Sequence, residues 1–129
     1  QDINILMNSM TGKSFTKEQL INYYTAKKYM PLHLKSEDDR TIKKKINPQG
    51  FTIPDSDTEN LIQCLLHMRR IITVHEGLRW NDIKRYGIEI SHNRDGQADD
   101  VLLVDDLRRA IQIPQEVIAA GLEANPRNN

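Results

Sequence analysis

The chain has a single cysteine, Cys64, set among apolar neighbours, so no disulfide can close within it and a buried thiol is the expectation. Aromatic residues are scarce at 5%, and the hydrophobic share of 38% leaves a lean core. Net charge is missing too: 18 acidic residues balance 18 basic ones, which removes the electrostatic ground for expecting nucleic acid or an anionic membrane surface as partner. No run approaches the roughly 18 consecutive apolar residues that a membrane-spanning helix needs. The first of the 129 residues is Gln1 rather than Met, and the expectation is that the natural start lies upstream. Catalytic combinations are equally thin. No Ser-His-Asp set, Cys-His pair or Gly-rich phosphate loop can be assembled, so the expectation is a protein that is not an enzyme and needs no cofactor.

What the chain does contain is helical patterning. Thr16 with Gln19 has the form of a capping box, opening a helix expected from about Lys17 to Met30, where Pro31 ends it. Residues 31–55 read as a long connection carrying Pro48, Gly50, Pro54, the acids Glu37, Asp38 and Asp39, and the basic run Lys43, Lys44, Lys45. A connection of that length is unusual inside a compact domain and implies support from outside the chain. Ser56 with Glu59 forms a second capping box, and Leu61, Ile62, Leu65, Leu66, Met68, Ile71, Ile72 and Val74 recur at helical spacing up to Gly77. Trp80 to Tyr86 adds one or two helical turns before Gly87. The period then changes to two around Ile88 and Ile90 and again within Val101–Val104, which predicts a β-hairpin about the polar stretch HNRDGQADD. A short final helix is expected over PQEVIAAG, with Pro114 in its first turn and Gly121 as C-cap, followed by a fraying polar tail.

The segment HEGLRW begins like the zinc-protease signature His-Glu-x-x-His. That chemistry needs two imidazoles at i and i+4 on one helix face, and the second position holds Arg79, a permanent cation that repels a metal ion. His33, His67 and His92 have no compatible spacing, so no metal site is expected, and Glu76 and Arg79 read instead as i,i+3 neighbours in a charge network. In the hairpin turn, Asn93, Asp95, Gly96 and Asp99 partly match a calcium loop, but Leu102 stands where the closing bidentate Glu belongs, and a plain turn explains the same residues. Lys43–Lys45 reads as a solvated face. Tyr23, Tyr24 and Tyr29 are candidates for a sugar-stacking platform, with core or interface positions as the alternative. Trp80 reads as a core anchor.

Two segments together resemble a known family. MRRIITVHEGLRWNDIKRYGIEI, with Arg69 or Arg70, then Glu76, Gly77, Arg79, Trp80, Asp82 and Arg85, is similar to the Glu-Gly-x-Arg-Trp signature of the SusD/RagB nutrient-binding lipoproteins of Bacteroidetes; His75 stands where that family often has an acid. RRAIQIPQEVIAAGLEANPRNN, with Arg108, Arg109, Ile113, Pro114, Glu116, Asn125 and Pro126, resembles the same family's ending. The likeness covers about residues 55–129. It implies a mainly α fold with a small β-hairpin, the C-terminal portion of the SusD-like, tetratricopeptide-containing helical architecture, with residues 1–55 a loop-rich segment bearing one helix and 56–129 the SusD-like region.

The resemblance further implies a role in nutrient capture, of an oligosaccharide or similar ligand, at the outer-membrane surface. The partners would be a SusC-like TonB-dependent transporter and the remaining N-terminal part of the same protein, which would carry the lipid anchor. Glu76, Gly77, Arg79, Trp80, Asp82, Arg108 and Arg109 would then be architecture: Gly77 turning the chain, Trp80 plugging the core, and Glu76 with Arg79 and Arg108 or Arg109 forming a partly buried charge network. Tyr23, Tyr24 and Tyr29 are the ligand-binding candidates. The alternative is a structural module that completes the scaffold or contacts the transporter without touching ligand.

Overall fold

A computed structural model describes residues 5, 8, 9, 11–92, 94 and 97–127. The chain is mainly helical with one small antiparallel hairpin. Helix α1 spans Lys17–Thr25, α2 Ser56–Ile72, α3 Arg79–Arg85 and α4 Gln115–Ala119; strands β1 (Ile90–His92) and β2 (Asp100–Leu102) lie between α3 and α4. Single turns of 3-10 helix occupy Glu37–Asp39 and Leu107–Arg109.

The start of α1 follows its local chemistry. The Thr16 hydroxyl accepts from the Gln19 amide at 3.2 Å, and the Thr16 amide donates to the Gln19 side chain at 2.8 Å. Its end does not follow. The helix stops at Thr25 rather than Met30, because Met30 donates its amide to the Lys43 carbonyl at 2.8 Å and Tyr29 forms a parallel bridge with Lys43. The Thr25 hydroxyl meanwhile donates back to the Ile21 carbonyl and accepts from Asn60 of α2 at 2.9 Å, fixing the last turn against the neighbouring helix.

Helix α2 begins one residue earlier than its second capping box predicts. Asp55 is the N-cap, in extended conformation, and its carboxylate accepts from the Thr58 amide at 2.7 Å; Ser56 is already helical. The helix ends at Ile72, short of Gly77, as Thr73 turns its hydroxyl back onto the Arg69 carbonyl. Gly77 lies beyond, at φ +67°, in the left-handed region that glycine enters without strain.

Two apolar clusters hold these elements. Leu20, Tyr24 and Cys64 join α1 to α2, so the first segment shares a core with the second. Leu66, Ile83 and Ile88 join α2, α3 and the entry to the hairpin, with Trp80, Tyr86 and Ile90 packed around them. Burying a side chain such as Leu66 in this way contributes about 1.5–3 kcal/mol. In the hairpin, Ile90 faces Leu102, Ser91 faces Val101 and His92 faces Asp100.

The long connection makes ties of its own inside the chain. Gln63 on α2 accepts from the Lys44 amide at 3.3 Å and donates to the Lys44 carbonyl, while Asn47 donates to the Tyr86 carbonyl at 2.8 Å. The tail is likewise tied down as far as it is described. Asn125 exchanges hydrogen bonds with Gln112 and donates to the Ile111 carbonyl, and Arg127 donates to the carbonyls of Leu107 and Ala110. No helix of the described residues is long and apolar enough to cross a membrane.

Candidate functional site

His75 and Glu76 are both exposed, on the irregular turns between α2 and α3, and Glu76 has no ion-pair partner among the described residues. The charge network expected between Glu76, Arg79 and Arg108 or Arg109 is therefore absent, because the chain unwinds at Thr73 and carries Glu76 away from the helix face that Arg79 occupies. Among the described residues, no group of three or more His, Cys, Asp or Glu side chains could hold a metal ion. Of the calcium-loop candidates, Asn93, Asp95 and Gly96 lie outside the described residues, and Asp99 accepts from or pairs with His33 Nδ1 at 2.8 Å.

Other charges carry the ties that the motif residues make. Asp82, buried on α3, takes both of its oxygens to Arg69 Nε, at 3.1 and 3.3 Å. Arg109 is buried and donates to the carbonyls of Leu103, Ile83, Ile88 and Leu102. Its planar fork thus stitches the C-terminal segment to α3 and both arms of the hairpin region, a geometry that lysine cannot reproduce. Arg108 faces solvent, bidentate on Asp106 (3.0 and 2.7 Å) and reaching Asp100 at 3.1 Å. These hydrogen bonds hold the Asp106 and Asp100 carboxyls below the usual range. Trp80 is partly buried against the Leu66–Ile83–Ile88 cluster, in keeping with a core position.

The basic run departs most from expectation. Lys43 is buried, donating to the Tyr24 carbonyl at 3.1 Å and to Asn60 Oδ1 at 2.8 Å, with its ammonium 4.5 Å from the centre of the Tyr29 ring. Lys44 is half-buried, and its pKa is pulled down by burial and then by Arg70, Arg79 and Arg40. Only Lys45 is exposed as a solvated face requires.

The three tyrosines do not form one platform. Tyr24 is only 2% exposed; its hydroxyl bonds His67 Nδ1 at 2.9 Å, and burial raises its pKa. It is a core residue that also lines the apolar groove beside Tyr23. Tyr23 is half-exposed, edge-on to Tyr24 with ring centres 5.2 Å apart, on an apolar groove of about 350 Å³ that also takes in Phe15, Leu20, Cys64 and Met68. Tyr29 belongs to a different recess of about 320 Å³, between residues 29–32, Lys44 and Lys45, Glu89 just before β1, and Ser91 within it. The Tyr29 hydroxyl donates to Glu59, and burial followed by that carboxylate pushes its pKa up to about 12.

This second recess has the composition of a sugar site: one half-exposed ring, two ammonium donors, a carboxylate acceptor and a hydroxyl, at the lower end of the roughly 300–1,000 Å³ that small-molecule sites span. Lys44 and Lys45 read from the sequence only as a solvated face, and Glu89 and Ser91 were not among the residues the sequence singles out. One signal was there to use: Glu89 and Ser91 are two apart along an extended stretch, so they share a face. Nothing local places the lysines opposite them.

No family model, curated protein or solved structure matches the chain.

Proposed function

We propose that the chain is the carboxy-terminal part of a SusD/RagB-like nutrient-binding protein, and that its Tyr29 recess takes part in holding an oligosaccharide at the outer-membrane surface beside a SusC-like TonB-dependent transporter. The finer assignment of the fold, as the C-terminal portion of a tetratricopeptide-containing helical architecture, belongs to the same proposal. The observation that carries it is the joining of the two family-like segments into one unit. Arg109, from the ending that resembles the family, reaches the carbonyls of Ile83 and Ile88 immediately after the Glu-Gly-x-Arg-Trp segment. Segments that resemble a family separately, and that also depend on each other physically, support the resemblance more than either does alone. In this reading Gly77, Arg79, Trp80, Asp82, Arg108 and Arg109 serve the architecture, Glu76 is a surface residue, and the ligand contacts lie at Tyr29, Lys44, Lys45, Glu89 and Ser91.

A second reading is favoured by the surface. Large apolar side chains lie open on the turns after α2 and through the C-terminal segment, among them Val74 at 66% exposure and Ile111 at 82%. Such a face suits a module that packs on another part of the same protein or on the transporter and touches no nutrient.

A glycan array separates the two. Retention of oligosaccharides by this chain alone supports nutrient capture. Retention only by a longer protein carrying the upstream sequence favours the scaffold role, and an upstream sequence without a lipoprotein cysteine or helical repeats removes the family assignment.

A further inference from the structure

The Tyr29 recess is unbalanced in charge. Lys44 and Lys45 stand on its wall against a single carboxylate, Glu89. Among the described residues none of these three side chains has an ion-pair partner, so they do not neutralise one another. The protein behind the wall is positive as well. Lys44 also borders the small cavity lined by Arg70 and Arg79, and the Lys43 ammonium lies 4.5 Å from the centre of the Tyr29 ring. Lys43 itself bonds neutral acceptors, the Tyr24 carbonyl and Asn60 Oδ1. Nearby acids are engaged elsewhere: Glu59 accepts from the Tyr29 hydroxyl, and Asp82 is held by Arg69 Nε at 3.1 Å. Cations gathered around a concave surface add their fields there and draw in an anion.

A bare inorganic anion does not suit the rest of the lining. Glu89 would repel it, and the Tyr29 ring, 44% exposed, offers it only an apolar face. The Ser91 hydroxyl already donates to the Leu32 carbonyl, which leaves its oxygen as an acceptor. Two acceptors, one ring and two ammonium groups call for a ligand with hydroxyls to donate, a C–H face to stack and one negative charge. A sugar ring carrying a carboxylate has all three. The platform is also pre-organised, because Glu59 holds the Tyr29 hydroxyl while Lys43 sits against the ring.

We propose, resting on the nutrient reading above, that this recess selects acidic oligosaccharides by binding one uronic acid unit. Its carboxylate meets Lys44 and Lys45, its hydroxyls donate to Glu89 and Ser91, and its C–H face lies on Tyr29. A recess of about 320 Å³ takes one such unit and leaves the rest of the oligosaccharide outside.

The test is calorimetric titration of the 129-residue chain with oligosaccharides of galacturonic, glucuronic and mannuronic acid, each beside its carboxyl-reduced twin. An acidic member is expected to bind roughly tenfold or more tightly than its twin, and the gap should close as salt rises from about 20 to 300 mM. Lys45 is exposed, so Lys45→Gln removes the charge without disturbing the fold and narrows the gap several-fold; Lys44→Gln acts in the same direction. Arg85→Gln, which loses a cation lying 5.4 Å over the Phe51 ring outside the recess, keeps the gap. Tyr29→Ala weakens both twins alike. Equal affinity for the twins, with Tyr29→Ala still weakening both, overturns the acidic preference and leaves the nutrient reading standing. A gap that survives in both lysine variants also overturns it. No binding of either twin by the parent chain removes the nutrient reading at this recess and the acidic preference with it.

Discussion

The Cα of Gly87 lies against the backbone of Asn47 so closely that a Cβ added there would stand 1.9 Å from the Asn47 carbonyl oxygen and 2.9 Å from Val104 Cγ2. The adjacent Tyr86 carbonyl accepts the Asn47 amide at 2.8 Å, so one point fastens the long connection to the end of α3. Gly87 is also at φ +56°, where a side chain is strained before any contact is counted.

Gly87→Ala is therefore expected to cost about 3 kcal/mol or more, among the larger losses for a single methyl group. Gly77→Ala is the control: φ is +67° but nothing lies within 4 Å of the added Cβ, so only the backbone penalty of about 1 kcal/mol applies. Urea denaturation of both variants measures the difference. Equal losses would mean that the Asn47 contact does not constrain the fold.

Arg109 and Arg108 are neighbours in sequence with opposite expected sensitivities. Arg109→Lys leaves several of four carbonyls unsatisfied in a buried setting, and a loss of about 2–4 kcal/mol follows. Arg108→Ala breaks bonds to Asp106, Asp100 and the Val101 carbonyl made by a half-exposed guanidinium, and should move the urea midpoint less than Arg109→Lys.

His67 sets a pH dependence. Burial, then Arg70, lowers its pKa in the folded chain, where its Nδ1 is hydrogen-bonded with the Tyr24 hydroxyl. The unfolded chain binds a proton at about pH 6.5, above the folded value, so stability falls as pH drops below about 6.5 and levels off once the folded imidazole also titrates. The carboxyls of Asp55, Asp100 and Asp106, all lowered, contribute their own losses only in the more acidic range below their usual values. His67→Gln should flatten the stability profile just below about pH 6.5 and leave the acid limb unchanged. A profile unchanged by this variant would refute the assignment.

What could be read from the sequence was what neighbouring residues decide among themselves. The Thr16–Gln19 box, the apolar period of α2, the change of period at Ile88 and the glycine stop at Gly87 are all local, and the structure has each of them. What could not be read depended on residues far apart. Lys43 is buried because Asn60 and the Tyr24 carbonyl wait for its ammonium, and no three-lysine run announces that. Tyr24 and Tyr23 are adjacent and identical in type, yet one turns into the α1–α2 contact and the other out of it. Glu76 and Arg79 looked like helix neighbours, and the Thr73 turn, which separates them, was hidden within a continuous apolar pattern. The candidate site suffered most, since its walls come from residues 29–32, 44–45 and 89–91, which only the folded connection brings together.

The most direct test of the account is calorimetric titration of this chain with an oligosaccharide retained on the array, repeated with Tyr29→Ala and Tyr23→Ala. If the Tyr29 recess holds the sugar, Tyr29→Ala weakens binding roughly tenfold or more, while Tyr23→Ala leaves it unchanged. Unaltered affinity in Tyr29→Ala, or no heat of binding from the parent chain with any oligosaccharide, would contradict nutrient capture at this site.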